Sequence, residues 1–336
     1  MASLPAQVCE YTLLAKADLA QHYKPRLEAN RSTPGWSTNL ALLGLWKDAR
    51  YTVVGRCFNR SKGRPQSVSK TIFITGSSTG LGRATALIFA QRGWKVFATL
   101  RNPDKETELG KVPGVTVLPL DVTKPEQIDA AVRTALAEGP VDVVFNNAGY
   151  GLAGPFEGTS DEQLTAEIET NLLGVLRTTK AFIPYFRERG SGTFITTTSI
   201  GGLATFPFNS VYHATKWGLE GWSESLSHEL SKFGIRVKTV APGGIQTDFA
   251  TRSLVLAVHP AYGNLLQKVM SVFRDPARVA QRSTADQIAE VVFEAATDDK
   301  DQVTYVAGAD AKALYAQRLA VGVEAFRKQI RQNFLG

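Results

Sequence analysis

From residue 70 onward, short apolar runs rich in β-branched residues alternate with longer segments of helical periodicity. Near-continuous apolar strands separated by helices are typical of a parallel sheet whose two faces are both covered by helices. We therefore predict a doubly wound α/β domain of about seven strands with helices on both faces. The predicted strands lie at 71–75, 96–100, 115–118, 141–145, 193–196, 235–240 and 303–306, and the predicted helices at 81–92, 124–138, 161–188, 210–233 and 284–297.

Residues 1–69 differ from the rest of the chain in pattern and charge. They show no sustained period of two or of 3.6 residues, so we predict a poorly structured extension before a domain at 70–336. They carry ten basic and four acidic side chains, which account for six of the seven net positive charges. Since the remainder is almost neutral, the domain lacks the basic field that nucleic-acid binding requires. Three interpretations of the extension stay open: a mobile segment, a partner-binding arm, or an upstream start that the working protein does not use.

Several other classes are excluded. The longest apolar stretch, Asn39–Trp46, is far shorter than the ~20 residues that span a bilayer. The chain contains two cysteines, Cys9 and Cys57, so neither a disulfide framework nor a cysteine-based zinc site is expected. We expect no metal site and a cytoplasmic location.

A glycine-rich segment, Thr75-Gly-Ser-Ser-Thr-Gly-Leu-Gly82, joins the first predicted strand to the first predicted helix. Glycine at 76, 80 and 82 allows a tight turn and lets the backbone approach a pyrophosphate without an intervening Cβ atom. The N–H groups that open the helix then face the anion. The segment predicts a dinucleotide phosphate site, and a turn selected for packing alone is the alternative.

The residue after the second predicted strand bears on which dinucleotide is bound. An acid commonly binds the ribose 2′-hydroxyl at this place, but here Leu100 is followed by Arg101, and the next acid is Asp104. A guanidinium binds a 2′-phosphate through charge-assisted hydrogen bonds, each worth ~1.5–3 kcal/mol. We predict NADP(H) in preference to NAD(H), which stays possible; a surface arginine without a ligand is the alternative.

Tyr212 and Lys216 are four residues apart on the predicted helix 210–233, so their side chains share one face. A free phenol has a pKa of ~10, which is poorly matched to proton transfer near neutral pH. An ammonium group ~5 Å away would stabilise the phenolate by ~3 kcal/mol, or about two pKa units. The pair therefore predicts an acid for carbonyl reduction and a base for alcohol oxidation; a half-buried tyrosine beside a solvated lysine is the alternative.

Two polar segments end neighbouring strands. Ser199 follows the strand 193–196, thirteen residues before Tyr212. Ligands of parallel sheets bind beyond the carboxyl ends of the strands, so the Ser199 hydroxyl is placed to bind a substrate oxygen together with Tyr212. The strand 141–145 ends in Asn146-Asn-Ala-Gly149, small residues suited to lining a cofactor.

Taken in order, these motifs resemble those of the short-chain dehydrogenase/reductase family in its compact, single-domain form, over roughly four-fifths of the chain. The resemblance implies a Rossmann fold, a nicotinamide cofactor, and hydride transfer between a carbonyl and an alcohol. Segments at 98–102, 155–157 and 216–222 are similar to the subgroup of 17β-hydroxysteroid and retinol dehydrogenases. The matching motifs are Thr-Gly-x-x-x-Gly-x-Gly at 75–82, Asp121-Val122, Asn-Asn-Ala-Gly at 146–149, Asn171, Ser199, Tyr212 with Lys216, and Pro242-Gly243.

The resemblance also implies roles for single residues. Tyr212 would exchange the proton, while Lys216 would lower the tyrosine pKa and hold the nicotinamide ribose. Ser199 would orient the substrate oxygen, and Asn171 would hold a water relay behind the lysine. Without the family, Asn171 is an ordinary helix amide and Asp121 a turn former. Besides Tyr212 and Lys216, the implied cofactor-binding residues are Gly76, Ser78, Gly80, Leu81, Gly82, Arg101, Asp121, Val122, Asn147, Ala148, Gly149, Pro242, Gly243, Ile245 and Thr247.

A substrate loop is predicted at about 248–283, where apolar residues are frequent. Together with Phe206 and Phe208, it would suit a bulky hydrophobic carbonyl or alcohol. A helical lid that packs its apolar stripe on the core is the alternative. The apolar residues are Leu254, Val255, Leu256, Ala257, Val258, Leu265, Leu266, Val269, Met270 and Phe273.

The assembly and two rival functions complete the predictions. The family commonly pairs the helices at 161–188 and 210–233 with those of a second subunit, which implies a homodimer or homotetramer. A non-redox epimerase or dehydratase that uses the same tyrosine and lysine is one rival. A binding protein that senses the nucleotide is the other.

Overall fold

The computed structural model describes the backbone of residues 8–15 and 51–58, and residues 69–247 and 252–336 in full. The chain divides into two units, Met1–Val68 and Ser69–Gly336. In the first, β1 (Val8–Ala15) pairs antiparallel with β2 (Tyr51–Phe58). The sequence analysis does not predict this pair, because that segment lacks sustained alternation. The rest of the predicted extension lies outside the described residues, apart from Ser69.

Seven strands of the second unit form one parallel sheet, and four short strands form two parallel pairs. The strands are β3 (Thr71–Thr75), β4 (Lys95–Leu100), β5 (Val115–Pro119), β6 (Val143–Asn146), β7 (Gly151–Ala153), β8 (Gly192–Thr197), β9 (Ile235–Pro242), β10 (Ile245–Gln246), β11 (Leu254–Leu256), β12 (Ser283–Thr284) and β13 (Thr304–Ala307). The two short pairs are β7 with β11 and β10 with β12.

The order of the large sheet is β13-β9-β8-β6-β3-β4-β5. The chain starts at the centre with β3, moves outward through β4 and β5, and then returns to β6 on the other side of β3. This reversal creates a crevice at the carboxyl ends of the strands. The predicted doubly wound sheet, a Rossmann fold, is confirmed.

Helices cover both faces of the sheet, and two more, at 309–321 and 323–335, follow its last strand in the chain. The predicted helix 161–188 is two helices joined by a π-helical turn at Glu169–Leu173. Among the described residues, none of the helices combines the length and the apolar composition that a membrane span requires. The helices are α1 (Gly80–Gln91), α2 (Pro125–Ala137), α3 (Asp161–Ile168), α4 (Gly174–Arg189), α5 (Ser210–Ser231), α6 (Gly263–Phe273), α7 (Pro276–Ala280), α8 (Ala285–Thr297), α9 (Ala309–Val321) and α10 (Val323–Leu335).

Two apolar cores lie on opposite faces of the sheet. The first joins Ile72 and Ile74 of β3 to α1 and α8, and the second joins Phe73 to α2, α4 and α5. Side chains alternate between faces along a strand, and all three of these residues are fully buried. Because both faces of β3 are covered, its sequence is apolar without interruption, which is the pattern that predicts it.

A third apolar cluster connects the C-terminal helices to the segment before α5. Val269 of α6 packs with Phe326 and Phe334 of α10, and Phe206 and Phe273 join them. The rings of Phe273 and Phe334 are 5.0 Å apart. The C-terminal helices thereby support one wall of the crevice.

Candidate active site

A cavity of about 1650 Å³ occupies the crevice at the carboxyl ends of the parallel strands. It extends from Gly76 and Arg101 at one end to Tyr212 and Phe273 at the other. Of the residues predicted to form the site, those that line it are Gly76, Ser78, Gly80, Leu81, Arg101, Asp121, Val122, Asn147, Ala148, Gly149, Ser199, Tyr212, Lys216, Pro242, Gly243, Ile245 and Thr247. The two others, Gly82 and Asn171, do not line it and pack against lining residues.

The glycine turn between β3 and α1 is packed too closely for side chains. Gly76 has a φ of +71°, and a Cβ atom on it would lie 2.7 Å from Ala148 Cα. A Cβ atom on Gly82 would lie 2.3 Å from the Gly76 carbonyl oxygen. Asn147 Nδ2 donates hydrogen bonds to the carbonyl oxygens of Thr75 and Gly76 at 3.1 and 3.0 Å. The turn is thus held against the end of β6.

The N-terminus of α1 opens on the same cavity. Its N-cap residue, Thr79, makes no side-chain hydrogen bond to the helix, while Ser78, Thr79, Gly80 and Leu81 all line the cavity. Uncapped N–H groups at a helix N-terminus attract anions. This end of the cavity therefore fits a phosphate group.

The end of the cavity at Arg101 carries positive charge. Arg83 pairs with Glu106 at 2.7 Å, and hydrogen bonds from Arg83 lower the pKa of that carboxyl. Arg101 is exposed and has no carboxylate partner among residues 69–247 and 252–336. Asp121 also lines the cavity, but its Oδ1 accepts hydrogen bonds from the Thr123 N–H and hydroxyl at 3.0 and 2.8 Å. These bonds form the turn that its sequence context alone suggests.

Tyr212 and Ser199 face each other at the opposite end. Tyr212 lies in the first turn of α5, and Ser199 precedes a short 3₁₀ turn at Ile200–Gly202. The Gly201 N–H donates a hydrogen bond to Ser199 Oγ at 2.9 Å, which fixes the serine side chain. Burial raises the pKa of Tyr212 to about 12, although the Ser199 hydroxyl acts to lower it.

Lys216 is held beside the tyrosine ring. Its Nζ donates a hydrogen bond to the Thr197 carbonyl at 2.9 Å and lies 5.8 Å from the centre of the Tyr212 ring. Burial lowers the pKa of Lys216 to about 8, and the charges of Glu167 and Glu220 oppose this. The predicted lowering of the tyrosine pKa is not found. Burial dominates, and the ammonium group binds the main chain at the end of β8.

Asn171 lies in the π-helical turn between α3 and α4, a type of distortion that is frequent at functional sites. Its Nδ2 donates to the Tyr150 carbonyl at 2.7 Å, and its Oδ1 accepts from the Tyr150 N–H at 3.0 Å. A Cβ atom on Gly149 would lie 2.9 Å from Asn171 Oδ1 and 3.8 Å from Lys216 Nζ. Asn171 therefore braces the loop after β6 next to the lysine.

Glu167 and Tyr150 belong to this arrangement, and the sequence analysis misses both. Glu167 is fully buried and accepts a hydrogen bond from Asn171 Nδ2 at 2.9 Å. Two other acids of the same helix, Asp161 and Glu162, are exposed. The spacing of four residues between Glu167 and Asn171 is the one signal that links them in the sequence.

His213, to which the sequence analysis gives no role, also lines the cavity. It is buried, and its ring centre lies 5.8 Å from that of Phe206. Burial lowers the pKa of His213 to about 4. The imidazole is therefore neutral near pH 7 and adds an uncharged surface to this wall.

The wall beyond Tyr212 includes five apolar side chains, and Arg274, Arg278 and Arg282 line the same cavity. Phe206, Phe208, Val269, Met270 and Phe273 line it. Part of the predicted substrate loop thus faces the cavity, while Val269 also packs on α10 as the lid alternative requires. Residues 248–251 of that loop lie outside the described residues.

The fold and the site agree with comparisons to known proteins. Residues 70–254 match the family model for short chain dehydrogenase. Oxidoreductase BOA17 of Botryotinia fuckeliana is 34% identical over 272 residues, which cover 79% of this chain and 98% of that protein. Human 17-beta-hydroxysteroid dehydrogenase type 1 is 33% identical over 256 residues, which cover 70% of this chain and 76% of that protein.

Solved structures show the same relationship. The crystal structure of a short-chain dehydrogenase from Streptomyces avermitilis aligns with a TM-score of 0.68 at 31% identity, over 80% of this chain and 96% of that one. The family predicted from the motifs is confirmed. The chain belongs to the short-chain dehydrogenase/reductase family and is an NAD(P)-dependent oxidoreductase.

Proposed function

We propose that this protein is an NADP(H)-dependent oxidoreductase that interconverts a hydrophobic ketone or aldehyde and its alcohol, with reduction as the favoured direction. The observation that carries the proposal is the meeting of Tyr212, Ser199 and Lys216 at one end of a cavity whose other end is the glycine turn. A dinucleotide that spans such a cavity supplies the hydride when bound.

The residues along the cavity fit a nicotinamide dinucleotide. The glycine turn and the uncapped start of α1 would hold the pyrophosphate. Asp121 and Val122 would contact the adenine, and Asn147, Ala148 and Gly149 would line the adenosine side. Lys216 would hold the nicotinamide ribose. Pro242, Gly243, Ile245 and Thr247 would enclose the nicotinamide.

The tyrosine suits the role of proton donor. With a pKa of about 12, Tyr212 keeps its proton throughout the neutral range. Ser199 would hold the substrate oxygen beside the phenol, which would then protonate that oxygen as the alcohol forms. Below about pH 8 Lys216 is a cation, and it would stabilise the phenolate left behind. Alcohol oxidation instead needs the phenolate at the outset, which the high pKa disfavours.

The choice of NADP(H) rests on Arg101. It follows β4 directly, lines the cavity and is exposed. Because the described residues offer it no carboxylate partner, its guanidinium is available to a 2′-phosphate. Arg83 is close enough to the same end of the cavity to line it, but it is paired with Glu106.

The preference for a hydrophobic substrate rests on the wall formed by Phe206, Phe208, Val269, Met270 and Phe273. Pockets lined in this way gain affinity by removing apolar ligand surface from water. Small polar ketones would leave most of this wall in contact with water. We therefore expect kcat/KM to rise with the apolar area of the ketone.

We also propose that the protein forms a homodimer or homotetramer through the outer faces of α4 and α5, and that it acts in the cytoplasm. Trp217 on α5 is 40% exposed, and among residues 69–247 and 252–336 no atom beyond its chain neighbours and its own helix backbone lies within 4 Å of a Cβ atom on Gly221. A second copy could therefore approach α5 closely. Light scattering on the purified protein measures the oligomeric state. A monomer at micromolar concentration would contradict the proposed homodimer or homotetramer.

The decisive experiment is a screen of the full-length protein against ketones and aldehydes of graded size, with NADPH and NADH, followed by nicotinamide absorbance. We expect NADPH-dependent reduction of bulky apolar carbonyls. Tyr212→Phe should lower kcat at least about a hundredfold and leave NADPH binding nearly unchanged. Tyr315→Phe, on α9 and outside the cavity lining, is the matched control.

Three results would contradict the proposal. Turnover by Tyr212→Phe at the wild-type rate would remove the tyrosine from the mechanism. Isomerised or dehydrated product without net oxidation of NADPH would favour the epimerase or dehydratase alternative. Tight NADPH binding with no turnover of any carbonyl would favour a nucleotide sensor.

A further inference from the structure

Glu167 is a buried acid behind the active site, outside the cavity lining. It lies near the end of α3, and its Oε1 accepts a hydrogen bond from Asn171 Nδ2 at 2.9 Å. Its Oε2 is also buried and completes no regular hydrogen bond with the described residues. A buried carboxyl oxygen without a full partner is costly, so this acid needs a reason beyond packing.

Three titratable groups face Glu167. The pKa of Glu167 is raised to about 8 by burial, while the charge of Lys216, the Leu152 N–H and the Tyr150 hydroxyl lower it. In return, the Glu167 charge raises the pKa of Lys216 and Tyr212. Burial and Glu167 together raise the pKa of Tyr150 to about 12. The carboxyl is thus electrically coupled to both residues of the proposed proton-transfer pair.

A second acid faces Lys216 from its own helix. Glu220, on α5, accepts hydrogen bonds from Thr198, Thr239 and Thr304. Burial raises its pKa, and these hydroxyls oppose the rise. Because three hydroxyls satisfy Glu220, it has an evident structural role. Glu167 accepts one hydrogen bond of regular geometry, from Asn171, beside weaker interactions with the Tyr150 hydroxyl and the Leu152 N–H.

We propose that Glu167 is a positioning residue of this site: it orients Asn171 and, by releasing its own proton as the pH rises, supplies the buried negative charge that keeps Lys216 cationic. The proton leaves the Glu167 O–H bond for solvent, and Lys216 retains all three of its N–H bonds. The inference rests on the proposed function for the experiments that measure activity, whereas the titration of Lys216 does not depend on it.

The physical argument compares glutamate with glutamine at this position. A glutamine has the same shape, and its side-chain oxygen can accept the hydrogen bond from Asn171. Only the acid can become negative. Burial favours the neutral form of a lysine, whereas each nearby negative charge favours the cation and can move the pKa by about one to three units. In Glu167→Gln, Lys216 keeps only the opposing charge of Glu220. Glu167 therefore widens the pH range in which Lys216 is charged.

The test is the variant Glu167→Gln in the full-length protein. The alkaline limb of the pH profile of kcat/KM should move to lower pH by about one unit, with the thermal unfolding midpoint nearly unchanged. Glu169→Gln is the matched control, since Glu169 lies in the adjacent π-helical turn and pairs with Arg177 at the surface. It should leave the limb in place.

The variant Glu167→Asp separates the two parts of the inference. It keeps a carboxyl group but shortens the reach to Asn171, so the alkaline limb should stay near its wild-type position while kcat falls. If Glu167→Gln does not fold, Glu167→Asp still tests the inference. Because aspartate keeps the negative charge, an alkaline limb of Glu167→Asp that moves to lower pH by about one unit would contradict the inference.

A readout independent of turnover is the titration of Lys216 itself. Carbon-13 labelling of lysine side chains allows its NMR signal to be followed with pH, and Lys216→Met assigns that signal by its loss. We expect Lys216 to titrate at lower pH in Glu167→Gln than in the wild type. Identical titrations would overturn the inference even if Tyr212→Phe behaves as proposed. A protein that reduces no carbonyl would contradict the proposed function and leave this titration as the deciding measurement.

Discussion

Lys216 Nζ donates a hydrogen bond of 2.9 Å to the carbonyl oxygen of Thr197. Thr197 is the last residue of β8, and Lys216 lies in the second turn of α5. The bond therefore ties the helix to the carboxyl end of the central sheet, where the cavity begins. Since the lysine is buried and anchored to the main chain, its charge has one place in the site beside the Tyr212 ring.

Lys216→Met should abolish most of the activity without unfolding the protein. The change keeps the length of the side chain but removes the charge that would stabilise the Tyr212 phenolate. We expect kcat for carbonyl reduction to fall at least about a hundredfold. The thermal unfolding midpoint should change little, because removal of a buried ammonium offsets the lost hydrogen bond. Lys180→Met, exposed on α4, is the control for both measurements, and wild-type turnover by Lys216→Met would refute the role.

Arg101→Ala should weaken selection for NADPH. Loss of one or two charge-assisted hydrogen bonds to the 2′-phosphate predicts a rise in KM for NADPH of about tenfold to a hundredfold, with KM for NADH nearly unchanged. The effect should shrink as salt is added, because Arg101 is exposed. Steady-state kinetics with both cofactors measure it, and Arg133→Ala, on the surface of α2, is the control. A protein that already prefers NADH, unaltered by Arg101→Ala, would contradict the prediction.

The sequence predicts the central sheet well because its signals are local. Each parallel strand is covered on both faces, so a short apolar run is sufficient to identify it, as in β3. The glycine turn is equally local, because its residues are adjacent in the chain and Gly76 and Gly82 both allow close packing of the backbone. The positions of Ser199, Tyr212 and Lys216 follow from the same logic, because each lies at the end of a strand or on one helix face.

What the sequence does not predict depends on tertiary surroundings. Helix α10 packs through Phe326 and Phe334, and α9 through Leu314, against a cluster that includes Phe206. The sequence pattern of the two helices does not identify that partner. The pKa of Tyr212 is set by burial, which spacing along α5 cannot reveal. Glu167 and Glu162 are the same residue type on one helix, and the sequence does not show which of them is buried. The fold buries Glu167 and leaves Glu162 exposed.

A buried ion pair away from the site predicts how stability depends on pH. Lys238 Nζ lies 2.7 Å from Asp298 Oδ1, and the Tyr305 hydroxyl donates to Asp298 Oδ2 at 2.7 Å. Burial raises the pKa of Asp298, but these hydrogen bonds outweigh it and lower the pKa to about 2. A carboxyl whose pKa is lower in the folded state stabilises the fold above its unfolded pKa of about 4. This contribution, about 2 kcal/mol, is lost as the pH falls from about 4 to about 2.

Asp298→Asn tests this assignment. It leaves the Lys238 ammonium buried without a counter-charge, so the free energy of unfolding at neutral pH should fall by about 3–5 kcal/mol. The decline of stability between about pH 4 and pH 2 should also become shallower. Asp299→Asn, at an exposed pair with Arg236, should change the free energy by less than about 0.5 kcal/mol. Chemical denaturation across this pH range measures both, and equal pH slopes for Asp298→Asn and the wild type would contradict the assignment.

Gly82→Ala should damage the phosphate end of the site through the backbone rather than through lost contacts. The new Cβ atom would lie 2.3 Å from the Gly76 carbonyl oxygen and 2.5 Å from Asn147 Nδ2. Because Asn147 fastens the turn to the end of β6, the turn cannot withdraw without breaking those bonds. We expect a loss of about 1–3 kcal/mol in the free energy of unfolding and weaker NADPH binding. Gly263→Ala is the control, because no described residue outside its chain neighbours and its own helix backbone places an atom within 4 Å of the added methyl group. Fluorescence titration measures NADPH binding, and chemical denaturation measures the free energy of unfolding. Wild-type values of both for Gly82→Ala would show that the turn can move aside. Glycine would then not be required at this position for the close packing of α1 against the strand ends.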